Sequence, residues 1–119
     1  MHAETLPDMA LMHSDSLVER ARQGDRNAQG KLVQLWYKRI YNYCFKFFLD
    51  HDLAMEACQK TFISMCRNVE ALQEVTRFKS WLYKITVNSC REEARKVKNS
   101  RSLSFDHMVN ADAEDSPAW

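Results

Sequence analysis

Apolar residues along this chain recur at three- and four-residue steps and show no sustained alternation, so the pattern predicts helices and no sheet. "SLVERARQ" (16–23) predicts a short first helix, with Ser14 or Asp15 as its cap and Gly24 as its stop. Asp25 then caps a long second helix that runs to about Leu49. Its residues Leu32, Trp36, Ile40, Tyr43 and Phe47 mark one buried stripe. "DHD" at 50–52 breaks the run and supplies caps for a third helix, where Met55, Cys58, Phe62, Met65 and Val69 share the inward face. Residues 70–77, "EALQEVTR", lose the periodicity and read as a loop, with Thr76 a candidate cap for a fourth helix from Phe78 to about Lys98. The expected fold is all-α: a compact bundle of about four helices over residues 14–98. A flexible N-terminus (1–13) precedes it and a flexible acidic tail or linker (99–119) follows.

Composition narrows the class. At 119 residues, with two glycines, two prolines and 45% hydrophobic residues, the chain has the size of one domain that buries its own core. Apolar runs are only a few residues long, so no membrane span is expected. The opening "MHAETLPDMALMHSDS" lacks the basic start and apolar block of a secretory signal, which makes the cytoplasm the expected location. Cys44, Cys58, Cys66 and Cys90 are too scattered for a zinc cradle or a small disulfide scaffold; buried free thiols are expected, with a thiol-based sensor as the alternative. His2, His13, His51 and His107 fall in terminal or loop segments, and there is no glycine-rich phosphate loop. Nothing here assembles a catalytic constellation, a metal site or a cofactor site, so a binding module is expected rather than an enzyme.

The net charge is only +1, but it is unevenly spread. Residues 77–101 hold Arg77, Lys79, Lys84, Arg91, Arg95, Lys96, Lys98 and Arg101 against Glu92 and Glu93, whereas Asp106, Asp112, Glu114 and Asp115 follow with no lysine or arginine. At about 100° per residue, Lys84, Asn88, Arg91, Arg95 and Lys98 fall in one narrow sector of the fourth helix. Cations at one-turn spacing can track a phosphate backbone, and an amide among them can read a base edge. Trp81 and Tyr83 can wall a pocket or stack on an unpaired base. A solvated basic face is the equal alternative. Opposite the apolar stripe of the third helix lie Asp52, Glu56, Gln59, Lys60, Ile63 and Arg67, which read either as a small docking patch or as ordinary surface.

Three segments in order, "LVERARQGDRNAQGKLVQLWYKRIYNYCFKFF", "DHDLAMEACQKTFISMCRNVEAL" and "RFKSWLYKITVNSCREEARK", resemble the second conserved region of bacterial sigma factors of the extracytoplasmic-function group. The likeness covers about residues 16–98, and the tokens "ARQGD", "QKTF" and "WLYKITVN" carry it jointly. It implies a transcription initiation factor that binds core RNA polymerase through a coiled coil of the largest subunit, and that opens and reads the −10 promoter element on its non-template strand. An anti-sigma factor is a further implied partner. Asp52, Glu56, Gln59 and Phe62 match the polymerase-binding motif, with Phe62 expected mainly in the core; Lys60 and Ile63 belong to the same outward face. Trp81, Tyr83, Lys84 and Asn88 match the promoter-reading segment, Asn88 at the position that helps hold a flipped base. Lys79, Arg91, Arg95 and Lys98 extend the DNA-facing set. Members usually carry an acid where Met55 stands, a glutamate where Lys60 stands and Phe-Arg-Gly where this chain has Leu72, Gln73 and Glu74. A complete factor also carries a helix-turn-helix domain, which the residues after Lys98 are not expected to form, so either a fragment or a chain that keeps only the first domain is expected. These departures motivate a second expectation, a sigma-like decoy or adaptor that binds polymerase or an anti-sigma factor without recognising a promoter.

Overall fold

The computed structural model describes residues 14–109, with side chains through Ser100. The expected flexible N-terminus and the end of the expected tail, 110–119, lie outside the described residues. Four helices follow in order: α1 (Asp15–Arg22), α2 (Arg26–Phe48), α3 (His51–Asn68) and α4 (Phe78–Val109). Two 3₁₀ turns, Val69–Ala71 and Val75–Arg77, occupy the segment predicted as loop. The all-α bundle is as expected.

Local chemistry sets the boundaries. Gly24 closes α1 at φ 94°, a left-handed conformation that costs glycine nothing. The Asp25 carboxylate accepts from the backbone N–H of Asn27 and Ala28, which opens α2 and draws the carboxyl below its ordinary 3.8; the bond from Ala28 is the largest cause. Asp50 opens α3 by accepting from Leu53 N–H at 2.9 Å. Thr76 caps nothing: it lies within the second 3₁₀ turn. The fourth helix also outruns its expected end at Lys98 and continues as backbone helix to Val109. "NSRS" contains no glycine or proline to stop it, and polar residues alone do not end a helix already propagating.

The core is a strip along α2 against which α3 and α4 pack. Leu32, Trp36, Ile40 and Cys44 form it at uniform four-residue steps. This corrects the expected stripe at its end: Tyr43 is half-buried, and Phe47 is exposed and rests edge-on against Phe48. At this end of α2 it is Cys44 and the half-buried Phe48 that face the core, which leaves Phe47 on the outer side. Cys58, Phe62, Met65 and Val69 are buried as expected, joined by the small residues Ala54, Ala57 and Thr61, which let α3 come close. From α4, Phe78, Leu82, Thr86 and Cys90 complete the interior. The hydroxyls of Thr61 and Thr86 donate to the carbonyls four residues back, which satisfies them without a distant partner.

All four cysteines are free, and three are buried. The sulfurs of Cys44 and Cys90 meet at 3.7 Å between α2 and α4. That contact, with burial, pushes the Cys44 thiol far up, and burial pushes Cys58 up to about 11. Cys44 and Cys58, held protonated in an apolar interior, are poor nucleophiles and act here as packing groups, while the contact with Cys44 draws the Cys90 thiol below 9.0.

One backbone position is strained. Leu49, the residue that closes α2, adopts φ 53° with its side chain 75% exposed. An L-residue with a Cβ costs roughly 1–2 kcal/mol in the left-handed region, and here no packing offsets it. Leu49→Gly is expected to raise unfolding free energy by about 0.5–1 kcal/mol, read as an increased urea midpoint at unchanged slope.

Candidate nucleic-acid and protein-docking surface

Helix α4 carries the candidate nucleic-acid face. Lys79, Lys84, Asn88, Arg91, Arg95 and Lys98 are all exposed, so the row predicted from sequence faces solvent rather than the interior. The predicted aromatic pair, however, is divided between two sides of the helix. Trp81 is half-buried, touches Phe78 and lines an open recess of ≈ 440 Å³ with Leu72, Glu74, Arg77 and Lys84. Tyr83 turns the other way, packing edge-on against Trp36 and Tyr43 of α2, and burial raises its phenol above 10.0. Consecutive odd positions on a helix point about 200° apart, and this separates the two rings.

Asn88 lies in a second recess. Helices α3 and α4 leave an open groove of ≈ 410 Å³ between them, with Lys60, Ile63 and Arg67 on one wall and Ile85, Asn88 and Glu92 on the other. Lys84 stands one turn before Asn88, between this groove and the recess beside Trp81. From Trp81 to Asn88 the helix rises about 10 Å.

The polymerase-facing prediction maps onto α3. Asp52, Glu56, Gln59 and Ile63 are exposed, Ile63 by 53%, while Phe62 is buried and stacks on Tyr37 at 6.1 Å. Lys60 behaves differently from the free cation that its sequence position suggests. Its Nζ lies 3.1 Å from Oε1 of Glu93, a carboxylate on α4 that is only 6% exposed; Lys96 approaches the same oxygen at 3.9 Å. The contact is an ion pair without the alignment of a hydrogen bond, since Oε1 accepts none. The Glu93 carboxylate raises the Lys60 ammonium above 10.5. The charge of Lys60 is thus neutralised within the molecule.

Glu93 is the residue that sequence reasoning missed. A glutamate among eight cations reads as surface, yet its place in line with Leu82, Thr86 and Ser89 puts it on the buried side of α4. The loop holds a second pair: Glu74 meets Arg77 Nε at 3.3 Å, exposed on both sides, so the acid that departs from the family pattern is partly countered. Arg22 of α1 donates to the carbonyl of Gln73 and ties that loop to the bundle. Among the described residues no three metal-ligating side chains converge, and no helix is long and apolar enough to cross a membrane.

Fold and surface together define a helical binding module with one cationic face and a groove between two helices. Comparison with known proteins is consistent with this. The family model for sigma-70 region 2 matches residues 32–100. The chain is 30% identical over 108 residues to the ECF RNA polymerase sigma-E factor of Haemophilus influenzae, a match covering 87% of this chain and 53% of that protein. To the ECF RNA polymerase sigma factor SigW of Bacillus subtilis it is 26% identical over 81 residues, 68% of this chain and 43% of the relative. To the RNA polymerase sigma-H factor of Pseudomonas aeruginosa it is 31% identical over 75 residues, 63% of this chain and 39% of the relative. No solved structure matches the chain significantly. The chain belongs to the sigma-70 region 2 family, in its extracytoplasmic-function group. It spans about half or less of the length of these relatives.

The Lys60–Glu93 pair yields a stability prediction. Lys60→Met strips a buried carboxylate of its nearest cation and is expected to cost about 2–3 kcal/mol, the distant Lys96 softening the loss. Met at both positions is expected to restore most of it, because the buried charge goes too. Urea unfolding of the two variants checks both values. The folded-state value of Lys60 is raised, so its contribution is complete at neutral pH and is lost as pH rises through that raised value.

Proposed function

We propose that this chain serves as the promoter-opening and polymerase-docking domain of a sigma factor. It uses α3 to dock on the largest subunit of core RNA polymerase and α4 to hold the non-template strand of the −10 element. The observation that carries the reading is the exposed row Lys84, Asn88, Arg91, Arg95 and Lys98, flanked by two open recesses. Unpairing and unstacking a base costs a few kcal/mol, so a promoter-opening protein must hold the extruded base elsewhere. A strand laid along α4 passes Trp81, Lys84 and Asn88 in turn. The cations contribute affinity that falls with salt, and the amide contributes selectivity.

The docking half rests on Asp52, Glu56, Gln59 and Ile63, an acidic and amide-bearing patch around one exposed apolar side chain. Lys60 is paired with Glu93 and Glu74 with Arg77, which weakens the grounds for a decoy that binds polymerase or an anti-sigma factor without recognising a promoter. An anti-sigma factor would gain most by covering Ile63 and the Asn88 groove together. The cytoplasm is where such a factor would meet polymerase.

Two variants test the reading. Asn88→Ala is expected to lower discrimination between −10 and scrambled single strands by about 1–3 kcal/mol in a gel shift. Lys84→Ala is expected to weaken both strands alike and to flatten the salt dependence by about one phosphate. If both variants bind as the parent does, the promoter-strand reading is wrong. Glu56→Ala, on the exposed face of α3 outside the Asn88 groove, is expected to reduce retention on core polymerase while leaving strand binding intact; unchanged retention would remove α3 as the docking face.

A further inference from the structure

The groove that holds Asn88 has a chemical character of its own. Glu92 lies one turn beyond Asn88 on the same wall, exposed, and Arg67 lies across from them in the last turn of α3. Among the described residues neither side chain makes a hydrogen bond or an ion pair, although the Glu92 charge acts on the nearby Lys60 ammonium. Lys60, the other cation of the groove, is held by Glu93. Ile63 and Ile85 supply apolar surface on the two walls, against which a flat ring can lie. A second amide in the lining, Asn68, donates back to Ser64, so the groove offers the Asn88 amide, one carboxylate, one guanidinium and an apolar lining.

That set does not treat the four bases equally. An asparagine amide both donates and accepts, so Asn88 alone accommodates any base edge. An ionised carboxylate only accepts. Adenine, cytosine and guanine each carry an exocyclic amine on the edge that an unpaired base exposes, and each can donate it to Glu92. Thymine carries none: its ring N–H sits between two carbonyl oxygens, so a carboxylate approaching that edge meets like charge on both sides. Glu92 also repels phosphate, which keeps the backbone toward Arg67, whose guanidinium matches phosphate geometry.

We propose that the α3–α4 groove selects an unpaired base bearing an exocyclic amine and rejects thymine, with Glu92 as the selecting residue and Arg67 holding the adjoining phosphate. This rests on the reading that a single strand lies along α4. It adds α3, otherwise the docking helix, to the strand-binding surface.

Fluorescence anisotropy on the full chain tests it, with a labelled all-thymine strand and the same strand carrying one central cytosine, a base of equal ring size. The cytosine is expected to tighten binding about fivefold or more, and Glu92→Gln, whose amide can donate to a thymine carbonyl, to shrink that ratio to within about twofold. Arg67→Gln is expected to weaken both strands equally and to lower the salt slope. The selection is overturned if cytosine gives no gain or if the gain survives in Glu92→Gln; the role of Arg67 is overturned if its variant binds both strands as the parent does. Lys84→Ala, outside the groove, separates the two levels. If it weakens binding while cytosine and thymine stay equal, only the groove proposal fails; if it changes nothing, the strand reading beneath it fails as well.

Discussion

The carboxylate of Glu93 is the constraint on which the arrangement of surfaces depends. It is enclosed between α3 and α4, where an unpaired charge would be costly, and Lys60 meets it from the facing helix. A buried ion pair adds little net stability over a well-packed apolar pair, because desolvation takes back most of the attraction. What it does impose is position. A buried carboxylate whose nearest cation lies across an interface penalises any rotation or slide that separates them. The helices so joined supply the two walls of the groove, and on the family reading they also carry the two functional faces. Asn88, Ile63 and Arg67 owe their relative placement to this contact and to the apolar packing around it.

The packing supplies most of the cohesion. Four side chains on α2, Leu32, Trp36, Ile40 and Cys44, form a strip that α3 meets with small residues and α4 with Phe78, Leu82 and Cys90. The outer edge of α2 carries a second aromatic series: Tyr37, Tyr41 and Phe45 stack at steps of four, and the Tyr41 hydroxyl lies 2.8 Å from His51 Nδ1 at the start of α3. That series braces the α2–α3 corner beside the strained Leu49, so α3 starts from a fixed point.

Much of this was legible in the residues. Three- and four-residue periodicity located all four helices, and Gly24, Asp25 and Asp50 marked boundaries through chemistry that a sequence displays directly. The cationic row on α4 was equally legible, because projection at 100° per residue needs no knowledge of partners. What periodicity cannot supply is which helix lies across from which. Tyr83 and Trp81 looked like one aromatic pair until α2 drew Tyr83 inward, and Lys60 looked like a free cation until α4 placed Glu93 beside it. Glu92 and Arg67 lie 25 positions apart and share a groove only because α3 and α4 fold together. Helix ends without a glycine or proline also stay hidden, which is why α4 was expected to stop near Lys98.

The account's central claim is that the open face of α4, around Asn88, is where an unpaired strand rests. Nuclear magnetic resonance of the isotopically labelled chain, titrated with a −10 non-template strand and separately with its duplex, tests this most directly. The account predicts that the Asn88 side-chain amide shifts with the single strand, together with backbone amides from Trp81 to Arg95 and those bordering Ile63 and Arg67, and that the duplex moves them less. Shifts confined to the Phe45–Leu49 corner, with the Asn88 amide unmoved, would contradict it.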